Sequence, residues 1–221
     1  MKIILANSNP IHEEIAKKCV SEFGAIVITK KDELTKDKLA EIDPDFVFFL
    51  HWSYIIPKEI YGNFNCILFH MTDLPYGRGG SPLQNLIVRD FEETKISAIK
   101  VAEGLDTGPV FMKRRLSLLG TAKEIFLRAG EVMFEMIQEI IAKSIIPVEQ
   151  EGEVVLFKRR SPRDGDISQL EDLKKVYDYV RMLDCDGYPQ AFLETKSFKF
   201  EFSRASLKKD YVICEVKISI K

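Results

Sequence analysis

The sequence predicts an α/β fold: a mostly parallel sheet with helices on both faces, followed by a small β-rich C-terminal appendix. Three observations carry this. Continuous apolar runs alternate with helical patterns through the first two-thirds of the chain. Each run is apolar along its length, as strands buried on both faces are. The pattern changes near Ile146-Pro147, after which short β-like runs dominate.

The elements follow in order. Ile3 to Ala6 reads as a strand, and Pro10 to Phe23 as a helix with Ile11, Ile15, Cys19 and Val20 near helical period. Ala25 to Thr29 is a second strand and Leu34 to Ile42 a short helix. Phe46 to Leu50 is a strand entered from the turn Asp43-Pro44-Asp45, and Cys66 to His70 and Ile96 to Val101 are two more. Leu83 to Arg89 reads as helical, with Pro82 in its first turn. Thr121 to Ile141 is the longest helical pattern, and Thr121 with Glu124 has capping-box spacing. Beyond it lie the β-like runs Val154 to Phe157, Ala191 to Glu194, Phe198 to Phe202 and Tyr211 to Ile218, interrupted by a helix over Leu170 to Leu183. These elements predict a Rossmann-like domain over residues 1–148 and a small C-terminal domain over 149–221.

Composition narrows the function. The 221 residues are 46% hydrophobic and 30% charged, as in an ordinary globular protein. A net charge of −2 gives no long-range pull toward nucleic acid or an anionic membrane. No apolar run is long enough to span a bilayer, and the apolar stretch before Asn7 is too short for a signal segment. Cys19, Cys66, Cys185 and Cys214 lie far apart and read as reduced thiols of a cytoplasmic protein. With His12, His51 and His70 also scattered, no metal-ligand spacing occurs.

The chemistry concentrates in two segments. His70 ends an apolar strand and precedes Leu74-Pro75-Tyr76-Gly77-Arg78-Gly79-Gly80-Ser81-Pro82. Asp106 lies in Leu105-Asp106-Thr107-Gly108-Pro109. His70 reads either as a strand-end histidine satisfied by a backbone carbonyl or as an acid-base group. The second reading gains from the ligand site that open α/β sheets form beyond the carboxyl ends of their strands. Asp106 reads either as a turn former or as the carboxylate that orients the imidazole. The glycine-rich turn is either a connector or an anion cradle. It is not a Walker A loop, and Asn7-Ser8-Asn9-Pro10 stands where a dinucleotide fingerprint would be. Lys158-Arg159-Arg160-Ser161-Pro162-Arg163 is either a solvated linker or a phosphate contact.

At these residues the chain resembles the formyltransferase family that uses N10-formyltetrahydrofolate. The resemblance rests on His70-Met71-Thr72-Asp73-Leu74-Pro75, Gly80-Ser81-Pro82 and Leu105 to Pro109, with Tyr54-Ile55-Ile56-Pro57 similar to the family's apolar folate loop. It implies His70 and Asp106 as catalytic residues and N10-formyltetrahydrofolate as formyl donor. Ser53, Tyr54, Ile55, Val101 and Glu103 would bind the donor, and Arg78, Gly79, Gly80, Gln84 and Arg160 the acceptor. The segments Phe157 to Gly165 and Gly187 to Phe192 look like the sugar-nucleotide branch of the family. The wording from His70 to Leu86 looks closest to enzymes acting on a 4-amino sugar, such as the pseudaminic acid precursor.

The expected reaction is therefore formyl transfer to the amine of a nucleotide-linked amino sugar, with no nucleic-acid or membrane partner, and with self-pairing into a homodimer left open. Methionyl-tRNA formylation is the enzyme alternative. It is disfavoured at this stage because the residues from Gln150 onward carry 14 Lys/Arg against 13 Asp/Glu, a near-neutral surface. A folate- or nucleotide-binding module without turnover is the third reading. It stays open because Leu68 stands where the family has an asparagine two residues before the histidine, and leucine cannot polarise a carbonyl.

Overall fold

The computed structural model describes all 221 residues, and they divide into two compact units. The first comprises Met1–Gly79, Thr94–Leu116 and Phe126–Leu156, and the second Gly80–Glu93, Ser117–Ile125 and Phe157–Lys221.

The strands are β1 (Ile3–Ala6), β2 (Ile26–Ile28), β3 (Phe46–Phe49), β4 (Cys66–His70), β5 (Tyr76–Gly79), β6 (Glu93–Lys100) and β7 (Val110–Ser117). Further along come β8 (Val155–Phe157), β9 (Ala191–Glu194), β10 (Phe198–Leu207) and β11 (Val212–Ile220). The helices are α1 (Glu13–Phe23), α2 (Lys36–Ile42), α3 (Lys58–Tyr61), α4 (Pro82–Ile87), α5 (Ala122–Ala142) and α6 (Leu173–Arg181).

A six-stranded sheet in the order β2-β1-β3-β4-β6-β7 forms the frame of the first unit. The pairs β1–β2, β1–β3 and β3–β4 are parallel, whereas β4–β6 is antiparallel. The predicted mostly parallel α/β sheet is therefore correct, with a reversed pairing at β4–β6 followed by the hairpin β6–β7, where Lys100 N–H donates to the Pro109 carbonyl and Leu118 N–H to the Glu92 carbonyl. An apolar run such as Ile96–Val101 reports burial on both faces and carries no sign of strand direction.

Alternation along the strands explains both covers. Ile4, Ala6, Val47, Phe49 and Cys66 turn to one face, where Leu39 of α2 and Ile60 of α3 complete a buried cluster. Phe48, between Val47 and Phe49, turns to the other face and stacks near Phe46 and Phe69. There, α1 and α5 pack through Phe23 and Phe134, whose rings lie 5.8 Å apart. Gly130 of α5 permits their approach, because a Cβ on it would lie 2.8 Å from the Ile15 side chain.

His12 is enclosed beneath this helix pair, with its ring 5.6 Å from that of His51 and 6.5 Å from that of Phe126. Burial, and secondarily the neighbouring His51, pushes the His12 pKa down to about 3, and burial pushes His51 down to about 4. Both rings are thus held neutral when folded. Below pH about 6.5 the unfolded chain takes up protons that the folded chain refuses. Stability should accordingly be full above that pH and fall as pH drops through about 4 toward about 3. Urea melts from neutral to acidic pH should show this loss, and a His12→Phe variant should show a shallower one. An equal acid slope in the variant would clear His12 of the effect.

In the second unit, β9, β10 and β11 form an antiparallel sheet in the order β11-β10-β9. Arg181 of α6 is buried, and its Nε donates to Asp178 Oδ1 at 2.7 Å. Its Nη1 donates to the carbonyls of Leu118 and Gly120. Such a buried, charge-paired guanidinium satisfies carbonyls that would otherwise be stranded. No helix is long and apolar enough to cross a membrane.

Candidate active site

His70 is the last residue of β4 and is 7% exposed. Period-2 alternation puts it on the side of the strand taken by Cys66 and Leu68. Its Nε2 lies 2.8 Å from the Gly77 carbonyl, and its Nδ1 lies 3.5 Å from Oδ2 of Asp106. Both ring nitrogens therefore face acceptors, one a carbonyl and one a carboxylate.

Asp106 is 8% exposed and sits at φ +54°, a left-handed conformation that aspartate tolerates better than most residues. Its Oδ2 also accepts from the Gly79 N–H at 2.9 Å. The Asp106 and Gly108 carbonyls each accept from Gln150 Nε2 at 2.8 Å. Gln150 Oε1 in turn accepts from Arg78 Nε at 3.1 Å and Nη2 at 2.7 Å. Arg78, Gln150 and the backbone around Asp106 thus form one closed hydrogen-bonded frame that fixes where the carboxylate points. Nothing in the sequence singled out Gln150, which stands among polar residues after Pro147.

A cavity of about 320 Å³ opens beside the pair. Tyr54, Ile55, Ile56, Tyr61, Leu68, Ile99 and Val101 give it an apolar wall, and Ala102 with residues 104–108 closes it, Asp106 included. An apolar pocket of this size with one convergent carboxylate suits a small organic ligand. Three of the five residues expected to hold the donor, Tyr54, Ile55 and Val101, line it. Ser53 does not; its N–H donates to Ser8 Oγ. Nor does Glu103, whose exposed carboxylate faces Lys58 at 3.5 Å. Ile56, from the apolar loop expected to hold the folate, lines the cavity too; Tyr61, Ile99 and Thr107 join the wall without having been expected as donor contacts, although Ile99 lies in a predicted strand and Thr107 in the 105–109 segment.

Of the residues expected to hold the acceptor, Arg78 and Gly79 join the frame around Asp106. Gly80, Gln84 and Arg160 belong to the second unit. There a Cβ on Gly80 would meet Arg159 at 2.6 Å, Gln84 is buried and donates to the Met182 carbonyl, and the Arg160 guanidinium lies 5.3 Å from the Tyr179 ring.

Leu68 lines the cavity at the position of the expected asparagine. None of the amides at Asn65, Gln84 and Asn85 is idle: Asn65 donates to the Asp45 carbonyl, Gln84 to Met182, and Asn85 to Gly80 and Lys158. The cysteines are free, and burial pushes the Cys19 and Cys66 thiols up to about 12, so neither supplies a thiolate.

Comparison with known proteins gives this geometry a context. Residues 162–219 match the family model described as Methionyl-tRNA formyltransferase, C-terminal domain. Over its full length the chain is similar to the structure of Methionyl-tRNA formyltransferase from Clostridium thermocellum, at 51% identity and TM-score 0.97, covering 100% of each chain. A Methionyl-tRNA formyltransferase of Clostridium botulinum is 27% identical over 207 residues, 90% of this chain and 66% of that one. The chain spans between about half and two-thirds of the length of such curated relatives. The structure of HypX from Aquifex aeolicus in complex with tetrahydrofolic acid shares the fold, at 17% identity and TM-score 0.77, covering 95% of this chain and 38% of that one.

These findings correct the expectation of a nucleotide-linked amino sugar as acceptor and of no nucleic-acid partner. The sugar N-formyltransferase from Shewanella matches at 14% identity and TM-score 0.71, which reports fold alone, against 51% for the full-length match. The error has a physical source. The resemblance over His70 to Leu86 is to residues expected to serve formyl transfer, and such residues do not specify which molecule carries the amine. Net charge reports long-range attraction to phosphate and is silent on recognition of one end of a substrate.

Proposed function

This chain belongs to the formyltransferase family of the N10-formyltetrahydrofolate type, and we propose that it formylates the aminoacyl amine of methionyl-tRNA. The observation that carries the reading is the pairing of His70 with Asp106, whose loop lines an apolar cavity, within a chain 51% identical to a methionyl-tRNA formyltransferase along its whole length. The cavity fits the donor: Tyr54 and Tyr61 offer flat faces, and Leu68, Ile99 and Val101 offer the apolar wall that a fused ring needs. When bound there, N10-formyltetrahydrofolate would supply the formyl group: the neutral acceptor amine would gain the formyl carbon and give up a proton, and the C–N10 bond would break with a proton going to N10 of the departing tetrahydrofolate.

This chain's residues then have distinct tasks. Asp106, fronting the cavity, accepts the proton released by the attacking amine. His70, held by the Gly77 carbonyl, keeps the carboxylate in place. With Leu68 in place of an amide, Asn65, Gln84 and Asn85 engaged elsewhere, and both His70 ring nitrogens facing Gly77 and Asp106, stabilising the charge that develops on the formyl oxygen falls to backbone N–H groups. In the second unit, exposed Lys158, Arg159 and Arg163 offer contacts for the phosphates of the acceptor.

The test is incubation with N10-formyltetrahydrofolate and charged initiator tRNA, with free methionine as control and mass spectrometry of the released aminoacyl group as readout. Formylmethionine from the tRNA arm alone is the expected result. Tight folate binding with no formylated product would overturn the reading in favour of a non-catalytic binder.

A further inference from the structure

The C-terminal sheet ends in an open edge. β11 is its outermost strand, nine residues long, paired on one side with β10. Its register with β10 puts Ile220 opposite Phe198, Ile218 opposite Phe200 and Val216 opposite Phe202, so these six share one face. Four of them are exposed: Phe198 and Val216 at 45%, Ile218 at 60% and Ile220 at 83%. A long apolar edge strand left open is a template for another strand.

We propose that β11 pairs antiparallel with β11 of a second copy of this chain, across a two-fold axis at Val216, joining two three-stranded sheets into one of six strands. A two-fold axis normal to a sheet keeps its faces aligned, so even-numbered residues oppose even-numbered ones. Centred on Val216, the apolar residues match each other: Val216 opposes Val216, Cys214 opposes Ile218, and Val212 opposes Ile220. On the other face Glu215 opposes Lys217, and the symmetry makes that pair twice.

The neighbouring registers fail. Centring on residue 215 sets Glu215 against Glu215, and centring on residue 217 sets Lys217 against Lys217. Like charges directly opposite each other destabilise a ladder, whereas opposite charges support it. The edge strand is therefore self-complementary in one register and repelled from the two nearest ones.

Within one copy, Glu215 already meets Arg204 at 3.0 Å, and Lys217 meets Glu201 at 3.0 Å. Glu215, Lys217 and Arg204 are largely exposed, so these pairs add little to stability and leave room for a second partner.

Sedimentation equilibrium of the full chain from micromolar to near-millimolar concentration tests this. The wild type should show the mass of two chains. Glu215→Lys or Lys217→Glu alone should shift it to one chain at the same concentration, because each sets like charges opposite each other twice. The combined Glu215→Lys/Lys217→Glu variant should regain the dimer. The pairs within one copy predict the reverse order, since the double variant loses both of them. A failure to fold cannot imitate the rescue. A wild type of single-chain mass throughout would overturn the proposal, leaving Lys217 as a charge that keeps the edge unpaired. A dimer indifferent to the single reversals would also overturn it.

Discussion

Replacing His70 by alanine should lower formyl transfer by about 10²- to 10⁴-fold, the range that a positioned acid-base group contributes. Asp106→Asn should cost a similar factor, because the amide keeps the shape but can neither take a proton nor carry charge. The two side chains touch, with His70 Nδ1 3.5 Å from Asp106 Oδ2, and both are almost fully buried. Groups that act as a unit are not additive, so the double variant should be scarcely slower than the worse single one. Single-turnover transfer, measured on variants whose melting temperature stays close to wild type, separates chemistry from product release. Near-normal turnover in either single variant would remove that residue from the reaction. Multiplication of the two losses in the double variant would show that they act independently.

That pair was readable from sequence for a definite reason. His70 and Asp106 each adjoin an apolar strand or its exit and precede glycine- or proline-containing turns, which is where α/β sheets place ligands. Other parts were not readable. Tyr76–Gly79 pairs as a strand with Val155–Phe157, but Gly77 and Gly79 have φ of +80° and +115° and read as turn residues. Val110–Ser117 is a strand whose middle is charged, because Lys113 is met by Asp73 and Arg114 by Glu139. Those partners lie far away in sequence, so no local pattern announces them. Gln150 is the sharpest case: its four hydrogen bonds all reach backbone or side chains more than forty positions away. The acceptor was misread for a related cause, since the residues around His70 carry the resemblance to the family as a whole and do not describe the body of the molecule that brings the amine.

Alanine at Gly108 should have the largest effect on stability among simple changes near the site. A Cβ there would lie 1.7 Å from the Lys100 carbonyl oxygen, deep inside van der Waals contact with backbone. Neither side can yield cheaply. Lys100 ends β6, and its N–H donates to the Pro109 carbonyl at 2.9 Å. Gly108 is held from its other side by Gln150. Parting the strand from the loop therefore breaks those bonds as well as moving the chain. The expected cost is on the order of 3 kcal/mol, which for a chain of this length lowers Tm by roughly 6–12 °C. Turnover should fall further than folding alone explains, because Asp106 lies on the same loop and would lose its distance to His70. Gly104→Ala is the contrast within that loop. Its Cβ would meet only the Thr107 side chain, at 2.9 Å, and its φ of +98° adds backbone strain. Thr107 can rotate away, so the second variant should melt closer to wild type than the first. The reverse order of melting temperatures would mean that β6 and the Asp106 loop separate easily, and that the close approach at Gly108 is not what holds the carboxylate against His70.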